Sequence, residues 1–380
     1  MAPDSTIAAT SAFSEALHSV RTAGRQLLIQ GGGTHSFIEG EQQAPFINSG
    51  KNQVIEYTPA DLTLTVGSGM PFVELQRCLQ EHQQWLPIEP AVNERSTIGG
   101  IVAANVTGAS RCHYGGIRSW LIGSQMITTN GDVVHSGSKV VKSVAGYDVH
   151  KLLIGSHGTL ALIDELTFKV APLPQKKMIA VVATTQFQNA ILEKLRALSP
   201  AMIAYCNADA ALQQNIANGA CFVLRFDGFT EDIDMQRDTL RGYYPENTDK
   251  MIILSTDENE VNRVSNAINT FTFSMPDSLR LSVSPSDTAA LLTALNDSSP
   301  FIADVGTGMI DVPAGANILQ STILAQIETF MSLHPLQARY LWRYNAPAIP
   351  GATQQEKELA RRLKALFDPE NILGSLGFYS

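Results

Sequence analysis

Glycine is spread unevenly along this chain, and that distribution constrains the fold more than any other feature. Eighteen of the 28 glycines fall between Gly31 and Gly158. A segment so rich in glycine is built around tight turns and close approach of backbone. The stretch ERSTIGGIVAANVTGASR, residues 94–111, states the problem in small: two glycines directly follow Ser-Thr-Ile, and small side chains follow them. A helix disfavours such a pair, since each glycine costs about 1 kcal/mol relative to alanine. Something has to come close to this backbone.

Three loops share the character. In IQGGGTHSF a strand runs into Gly31, Gly32, Gly33, Thr34, His35 and Ser36. Consecutive amides without side chains form a concave anion nest, and the hydroxyls add donors. The spacing is neither that of a P-loop nor the GxGxxG of a dinucleotide-binding Rossmann turn. The second loop offers Thr97-Ile98-Gly99-Gly100 and then Ala103, Ala104, Asn105, Thr107 and Gly108. A flat ring system or a diphosphate fits such a wall, and so does a second protein backbone packed against it. In the third, Gly155, Gly158 and Thr159 lead straight into an apolar strand. Together the loops point to a long, mostly neutral cofactor held by many amides.

Short strand-like runs alternate with this glycine punctuation: RQLLIQ, NQVIEY, LTLTVGSG, SQMITTNGDVVHSG and TLALIDELTFKV. The spacing predicts a helix from Pro71 to Glu81, and Asn130-Gly131-Asp132 reads as a hairpin turn. This α+β domain closes near APLP at 171–174. Beyond it strands (MIAVVATT, ACFVLRFDGF, SLRLSVS, ARYLWRYN) alternate with amphipathic helices (FQNAILEKLRAL, DIDMQRDTLRGY, ENEVNRVSNAINTF, SDTAALLTAL and 316–333). That alternation predicts a second, antiparallel α/β domain over 175–345, followed by a charged helix and an apolar end over 346–380.

The 380 residues suffice for two domains with real cores. A net charge of −9 argues against a nucleic-acid binder, which needs a basic face. No apolar run reaches the roughly 20 residues of a membrane helix, and the N-terminus lacks the basic start and apolar core of a signal peptide. A cytoplasmic protein is the expectation. Cys78, Cys112, Cys206 and Cys221 form no C-x-x-C pair, so no iron–sulfur or metal centre is expected within the chain.

The motifs GGGTHSFIEG, STIGGIVAANVTG, VAGYDVHKLLIGSHGTLALIDELTFKVAPLP and ALFDPENIL occur in the order found in the vanillyl-alcohol oxidase and p-cresol methylhydroxylase class of FAD proteins. Within that class, VVKSVAGYDVHKLLIGSHGTL resembles the flavin-binding E subunits of bacterial glycolate oxidases. The resemblance covers about 25–174 and 357–373. It implies a two-subdomain FAD-binding domain over 1–174, an antiparallel α/β cap over 175–345 for substrate or partner, and a tail over 346–380 that returns to the FAD domain. It further implies that Gly31, Gly32, Gly33, Thr34, His35 and Ser36 carry the diphosphate together with Ser96, Thr97, Ile98, Gly99, Gly100, Asn105 and Gly108. Gly115 and Gly116 would line the flavin, and Gly158, Thr159 and Ile163 the adenosine end. Asp148 belongs to the GYD motif, either touching cofactor or bracing a loop. Members that attach FAD covalently place the histidine directly after the Gly-Gly pair; here Thr34 intervenes, so non-covalent FAD is expected. Departures from the subunit pattern occur at Ser143, at Arg118-Ser119 and in the closing LGSLGF.

Oxidising a 2-hydroxy acid needs a hydride acceptor, a base for the hydroxyl proton and arginines that grip the carboxylate. Catalytic members of the class carry a histidine-rich motif in the second domain. After residue 157 this chain has only His334, and ADVGTGMIDV occupies the corresponding region. Arg225, Arg280, Arg339 and Arg343 are the arginines considered for a clamp. No catalytic residue is assigned. A chain equipped to bind FAD but poorly equipped to catalyse alone reads as one subunit of a glycolate dehydrogenase (oxidase). Its partners would be a second FAD-containing catalytic subunit and an iron–sulfur subunit, with membrane contact at most peripheral, through them. A stand-alone FAD oxidase of another alcohol or hydroxy acid and a non-catalytic flavin scaffold are the alternatives.

Overall fold

The computed structural model describes residues 5–34, 45–137, 147–244, 252–271, 278–284, 286–295, 300–313, 325, 327, 329–330, 338–342 and 354–374. The chain divides into two compact units. The first comprises Met1–Thr107, Gly115–Leu173 and Ala352–Ser380; the second comprises Gly108–Tyr114 and Pro174–Gly351.

In the first unit, α1 (Ser5–Ala23) precedes the strand β1 (Leu28–Ile29), which pairs in parallel with β2 (Phe46–Ile47). Sequence reading placed no helix at the start, yet Ala9, Phe13, Leu17 and Val20 recur at helical spacing and are buried with Leu27, Ile127, Leu162 and Leu373. A five-stranded antiparallel sheet has the order β3 (Val54–Thr58), β4 (Thr63–Gly67), β8 (Leu162–Lys169), β6 (Leu121–Ile127), β7 (Val133–Gly137). The turn between β6 and β7 is the expected one: Gly131 takes φ +85° and the Thr128 amide donates to the Asp132 carbonyl at 3.0 Å. Helix α2 (Phe72–Gln80) starts after Pro71 and buries Phe72, Leu75 and Leu79 on one face. Each such burial stabilises by about 1.5–3 kcal/mol. A short pair, β5 (Gln84–Trp85) with β9 (Ala171–Pro172), and the helices α3 (Ile98–Ala104) and α5 (Ile117–Trp120) complete the glycine-rich segment. The helix Gln354–Phe367 belongs to this unit.

The second unit takes α4 (Arg111–Tyr114) out of the glycine-rich segment. Ala109 donates its amide to the Asn269 side chain at 2.9 Å, and the Tyr114 hydroxyl donates to Asp227 at 3.0 Å. Gly108, expected in a cofactor loop of the first domain, therefore lies in the second unit. Its core is an eight-stranded antiparallel sheet ordered β13 (Ile252–Ser255), β10 (Lys176–Ala183), β12 (Cys221–Gly228), β11 (Met202–Cys206), β15 (Ile302–Asp304), β16 (Met309–Pro313), β14 (Ser278–Val283), β17 (Ala338–Trp342). Strand β10 shows why these strands read as apolar runs. Met178, Ala180 and Val182 enter one core with α6 (Asn189–Arg196), α8 (Thr230–Tyr243) and α10 (Thr288–Leu295). Ile179 and Val181 enter another with α7 (Ala208–Gln213) and α9 (Glu258–Thr270). A strand covered on both faces has no polar side to alternate with. The helix expected over 316–333 falls largely outside the described residues.

Among the described residues no helix is long and apolar enough to cross a membrane.

Candidate functional site

The first unit contains a cleft of about 740 Å³, open to solvent, lined from all three glycine loops. Gly31, Gly32, Gly33 and Thr34 enter it from the end of β1, Thr97, Gly99, Gly100, Ala103 and Ala104 from α3, and His157, Gly158, Ala161, Leu162 and Ile163 from the turn before β8 and its start. Asn48, Ser49, Ser68 and Gly69 also line it and escaped sequence reading, because they sit on ordinary-looking segments after β2 and β4. Among the described residues the lining holds no Asp, Glu, Lys or Arg.

The loops are fitted to one another. A Cβ on Gly31 would collide with the Thr97 hydroxyl and one on Gly32 with the Arg95 carbonyl, so side chains are excluded where the first two loops meet. Thr34 and Ser96 hydroxyls are 3.0 Å apart across the same seam. Gly33 has φ +69°, a backbone state that glycine adopts without strain. The third loop docks on α3, with His157 donating its amide to the Ala103 carbonyl at 2.9 Å and Gly155 to Val102 at 3.2 Å. His157 and Gly158 are both left-handed, at φ +51° and +75°, which turns the chain toward β1; a Cβ on Gly158 would lie 3.0 Å from the Ile29 Cβ and carbonyl oxygen. Burial pushes the His157 imidazole down to about 4, so it is neutral at neutral pH.

The Gly99-Gly100 pair lines the cleft as expected, but its amides are turned to the protein itself. The Gly99 amide donates to the Ser68 carbonyl at 2.8 Å, and a Cβ at Gly99 would lie 2.7 Å from that oxygen. What approaches Gly99 is the protein's own chain. The Ile98 amide is taken by Met70 at 2.9 Å, and the Gly100 amide donates to the Thr97 hydroxyl, the N-cap of α3, at 3.2 Å. This loop therefore supplies a wall and a hydroxyl instead of amide donors. By contrast, no described residue accepts from the amides of Gly31, Gly32 or Gly33.

Several expected residues stand away from the lining. Ser96 is buried and holds the Asn93 amide at 3.1 Å. Ile98 is core. Asn105 is the left-handed C-cap of α3 at φ +52°. Gly115, at φ +81°, and Gly116 form the turn before α5. Asp148 is exposed at the start of a short 3-10 turn and its side chain makes no cap there. Thr159 is buried, donating its hydroxyl to the Ser156 carbonyl at 2.6 Å. His35, Ser36, Ser143, His334 and Arg343 lie outside the described residues.

In the second unit two of the arginines considered for a carboxylate clamp, Arg225 and Arg280, are already engaged, while the side chains of Arg339 and Arg343 lie outside the described residues. Arg225, 1% exposed, makes a bidentate pair with Asp227 at 2.9 Å for both contacts. Arg280 does the same with Asp311 at 2.6 and 2.7 Å. Asp304, in the region where catalytic relatives were expected to carry histidines, accepts from Gly306 and Thr307 in a tight turn, and burial raises it to about 7. Among the described residues, no group of three or more His, Cys, Asp and Glu could hold a metal.

Comparison with known proteins agrees with this geometry. Residues 6–137 match the FAD binding domain family. The architecture is similar to that of solved alkyldihydroxyacetonephosphate synthase, with a TM-score of 0.67 at 16% identity over 95% of this chain and 74% of that one. The fold is thus the α+β fold of the vanillyl-alcohol oxidase type, and the chain contains an FAD-binding domain. In sequence it is similar to the glycolate oxidase subunit GlcE of Escherichia coli, 32% identical over 154 residues, 40% of this chain and 44% of that one. It is also similar to subunit GlcD of Bacillus subtilis, 36% identical over 126 residues, 33% of this chain and 27% of that one. The matched stretch spans less than half the length of these curated relatives.

FAD fits the cleft on its donor chemistry. A glycine cradle whose amides no described residue claims, flanking hydroxyls, and a lining without charged side chains among the described residues suit a diphosphate joined to two flat ring systems.

Proposed function

We propose that the chain is the FAD-binding subunit of a multi-subunit dehydrogenase that oxidises glycolate, or a close 2-hydroxy acid, to the 2-oxo acid. Electrons would leave through a partner iron–sulfur subunit. The diphosphate would lie on the amides of Gly31, Gly32 and Gly33 with Thr34 and Thr97 beside it. Gly100, Ala103 and Ala104 would wall the cofactor, and Gly158 and Ile163 would border its adenosine end. Bound FAD would supply a two-electron acceptor for the hydrogen leaving the alcohol carbon. The neutral His157 keeps cationic charge out of the cleft.

The observation that carries the subunit reading is the pairing of Arg225 with Asp227 and of Arg280 with Asp311. Both of these arginines are committed within the chain, so neither is free to grip a substrate carboxylate, which favours a grip completed by a partner. The relatives' designation as glycolate oxidase subunits supports the same reading. An anaerobic visible spectrum of the purified protein before and after glycolate tests it. An oxidised flavin band that bleaches only with partner subunits present is the expected result. Bleaching by glycolate with this chain alone would make it self-sufficient, and failure to take up FAD would remove the reading altogether.

A further inference from the structure

We propose that Lys364 and Asp368 are a positioning pair that holds two cofactor-facing loops from behind, an inference that rests on the FAD reading only for its effect on cofactor affinity. Lys364 sits in the helix Gln354–Phe367 and Asp368 directly follows it; they are 6% and 1% exposed. A buried ammonium far from solvent demands acceptors for each of its three protons. Lys364 finds them in the Asp368 carboxylate at 2.7 Å, the Thr159 carbonyl at 2.9 Å and the Leu373 carbonyl at 3.0 Å, with the Gly374 carbonyl at 3.3 Å.

Each contact leads to a loop. Asp368 accepts the amides of Ile372 and Leu373 at 3.0 and 2.8 Å, folding 368–373 back on itself. That turn delivers a parallel bridge to the chain entering β1: Leu27 donates to the Ile372 carbonyl at 2.8 Å and accepts from the Gly374 amide at 3.1 Å. Four residues on is Gly31. The other arm grips the carbonyl of Thr159, next to Gly158, which lies against Ile29. One ammonium therefore ties together the entry to the diphosphate loop and the turn that borders the adenosine end. Neither Lys364 nor Asp368 lines the cleft, so they act through the loops. Burial lowers the lysine pKa and the Asp368 carboxylate opposes that shift.

The test compares full-length Lys364→Met with Leu79→Ala. Methionine keeps the stem and removes every donor. Leu79 is buried on α2, none of whose residues lines the cleft. Hydrogen exchange of the FAD-free proteins is read at 27–33 and 156–159, and FAD affinity by fluorescence titration well below both melting temperatures. Partners that orient binding groups at metal sites are worth roughly 10–100-fold, and about tenfold weaker FAD binding is expected for K364M. Faster exchange confined to those two segments should accompany it. L79A, of similar or greater destabilisation, should show neither. Exchange spread evenly through the unit, or FAD affinity that follows melting temperature equally in both variants, overturns the proposal. Should K364M not fold, Lys364→Arg provides the same readouts, since its planar fork does not match these acceptors. A wild-type protein that binds no FAD overturns the functional reading, and the exchange comparison still decides the positioning role.

Discussion

Replacing each glycine of the Gly99-Gly100 pair by alanine separates folding from cofactor binding. At Gly99 the new methyl would lie 2.7 Å from the Ser68 carbonyl oxygen and 2.8 Å from its Cβ. The oxygen is backbone, directly follows β4 and already accepts the Gly99 amide, so it cannot swing aside. Overpacking of this kind costs about 1–3 kcal/mol, against a helix-propensity gain of about 1 kcal/mol for alanine over glycine. A net loss of up to about 2 kcal/mol is expected for G99A. At Gly100 the methyl would meet only the Thr97 hydroxyl, at 3.2 Å, and otherwise project into the cleft. Relieved of the glycine penalty, FAD-free G100A should be as stable as wild type or gain up to about 1 kcal/mol. Its FAD affinity should drop, because a methyl forced into a close wall costs about 1–3 kcal/mol, or roughly 5- to 150-fold in Kd. Urea unfolding of the FAD-free proteins and FAD titration of the folded ones measure the two effects separately. Equal destabilisation by both substitutions would refute the assignment of Gly99 to protein packing. Wild-type FAD affinity in G100A would refute the place given to the cofactor.

Three further outcomes follow from buried charge. His157 has its pKa lowered to about 4 by burial, against roughly 6.5 unfolded; below about 6.5 the unfolded chain binds a proton that the native one refuses, so stability falls as pH drops from 6.5 toward 4. His157→Asn, which tolerates the left-handed backbone, should flatten that slope by up to about 3 kcal/mol in pH-dependent urea melts. Asp304 shifts oppositely: raised to about 7, it favours the native state while protonated and loses that advantage as pH rises through 7. Asp304→Asn should therefore gain stability relative to wild type as pH increases from 4 to 8, and a constant difference would contradict the assignment. Arg225→Met leaves Asp227 buried and uncompensated, with an expected loss of about 3–5 kcal/mol that Arg225→Met with Asp227→Asn largely restores; an unchanged melting temperature in the single variant would show that Arg225 is available as a ligand.

How much of this was legible in the sequence depends on the range of the interactions involved. The α2 helix after Pro71, the turn at Asn130-Gly131-Asp132 and the strands of both domains are local, set by turn chemistry and hydrophobic period over a few residues. Helix α1 leaves a trace too, in the helical spacing of Ala9, Phe13, Leu17 and Val20. The resemblance of the motifs to FAD proteins named the cofactor. The glycine loops pointed to a long one, because loops that need several glycines in sequence leave a local trace. Asn48, Ser49, Ser68 and Gly69 left none, since they reach the cleft only through strand pairing.

The sequence by itself determined two units of mixed strands and helices and three glycine loops suited to a long, mostly neutral cofactor. These follow from local backbone freedom and periodicity, while its motifs named FAD through their resemblance to known FAD proteins. Only the tertiary structure decided what each glycine is for. It packs Gly99 against Ser68, leaves the amides of Gly31–Gly33 unclaimed by any described residue, and sends Gly108 to the second unit. It likewise gave Arg280 to Asp311, 31 residues on, and set Lys364, 205 residues from Thr159, behind the glycine loops. Steric exclusion and the pairing of buried charge act between residues far apart in the chain, and no local pattern encodes which partner will be met.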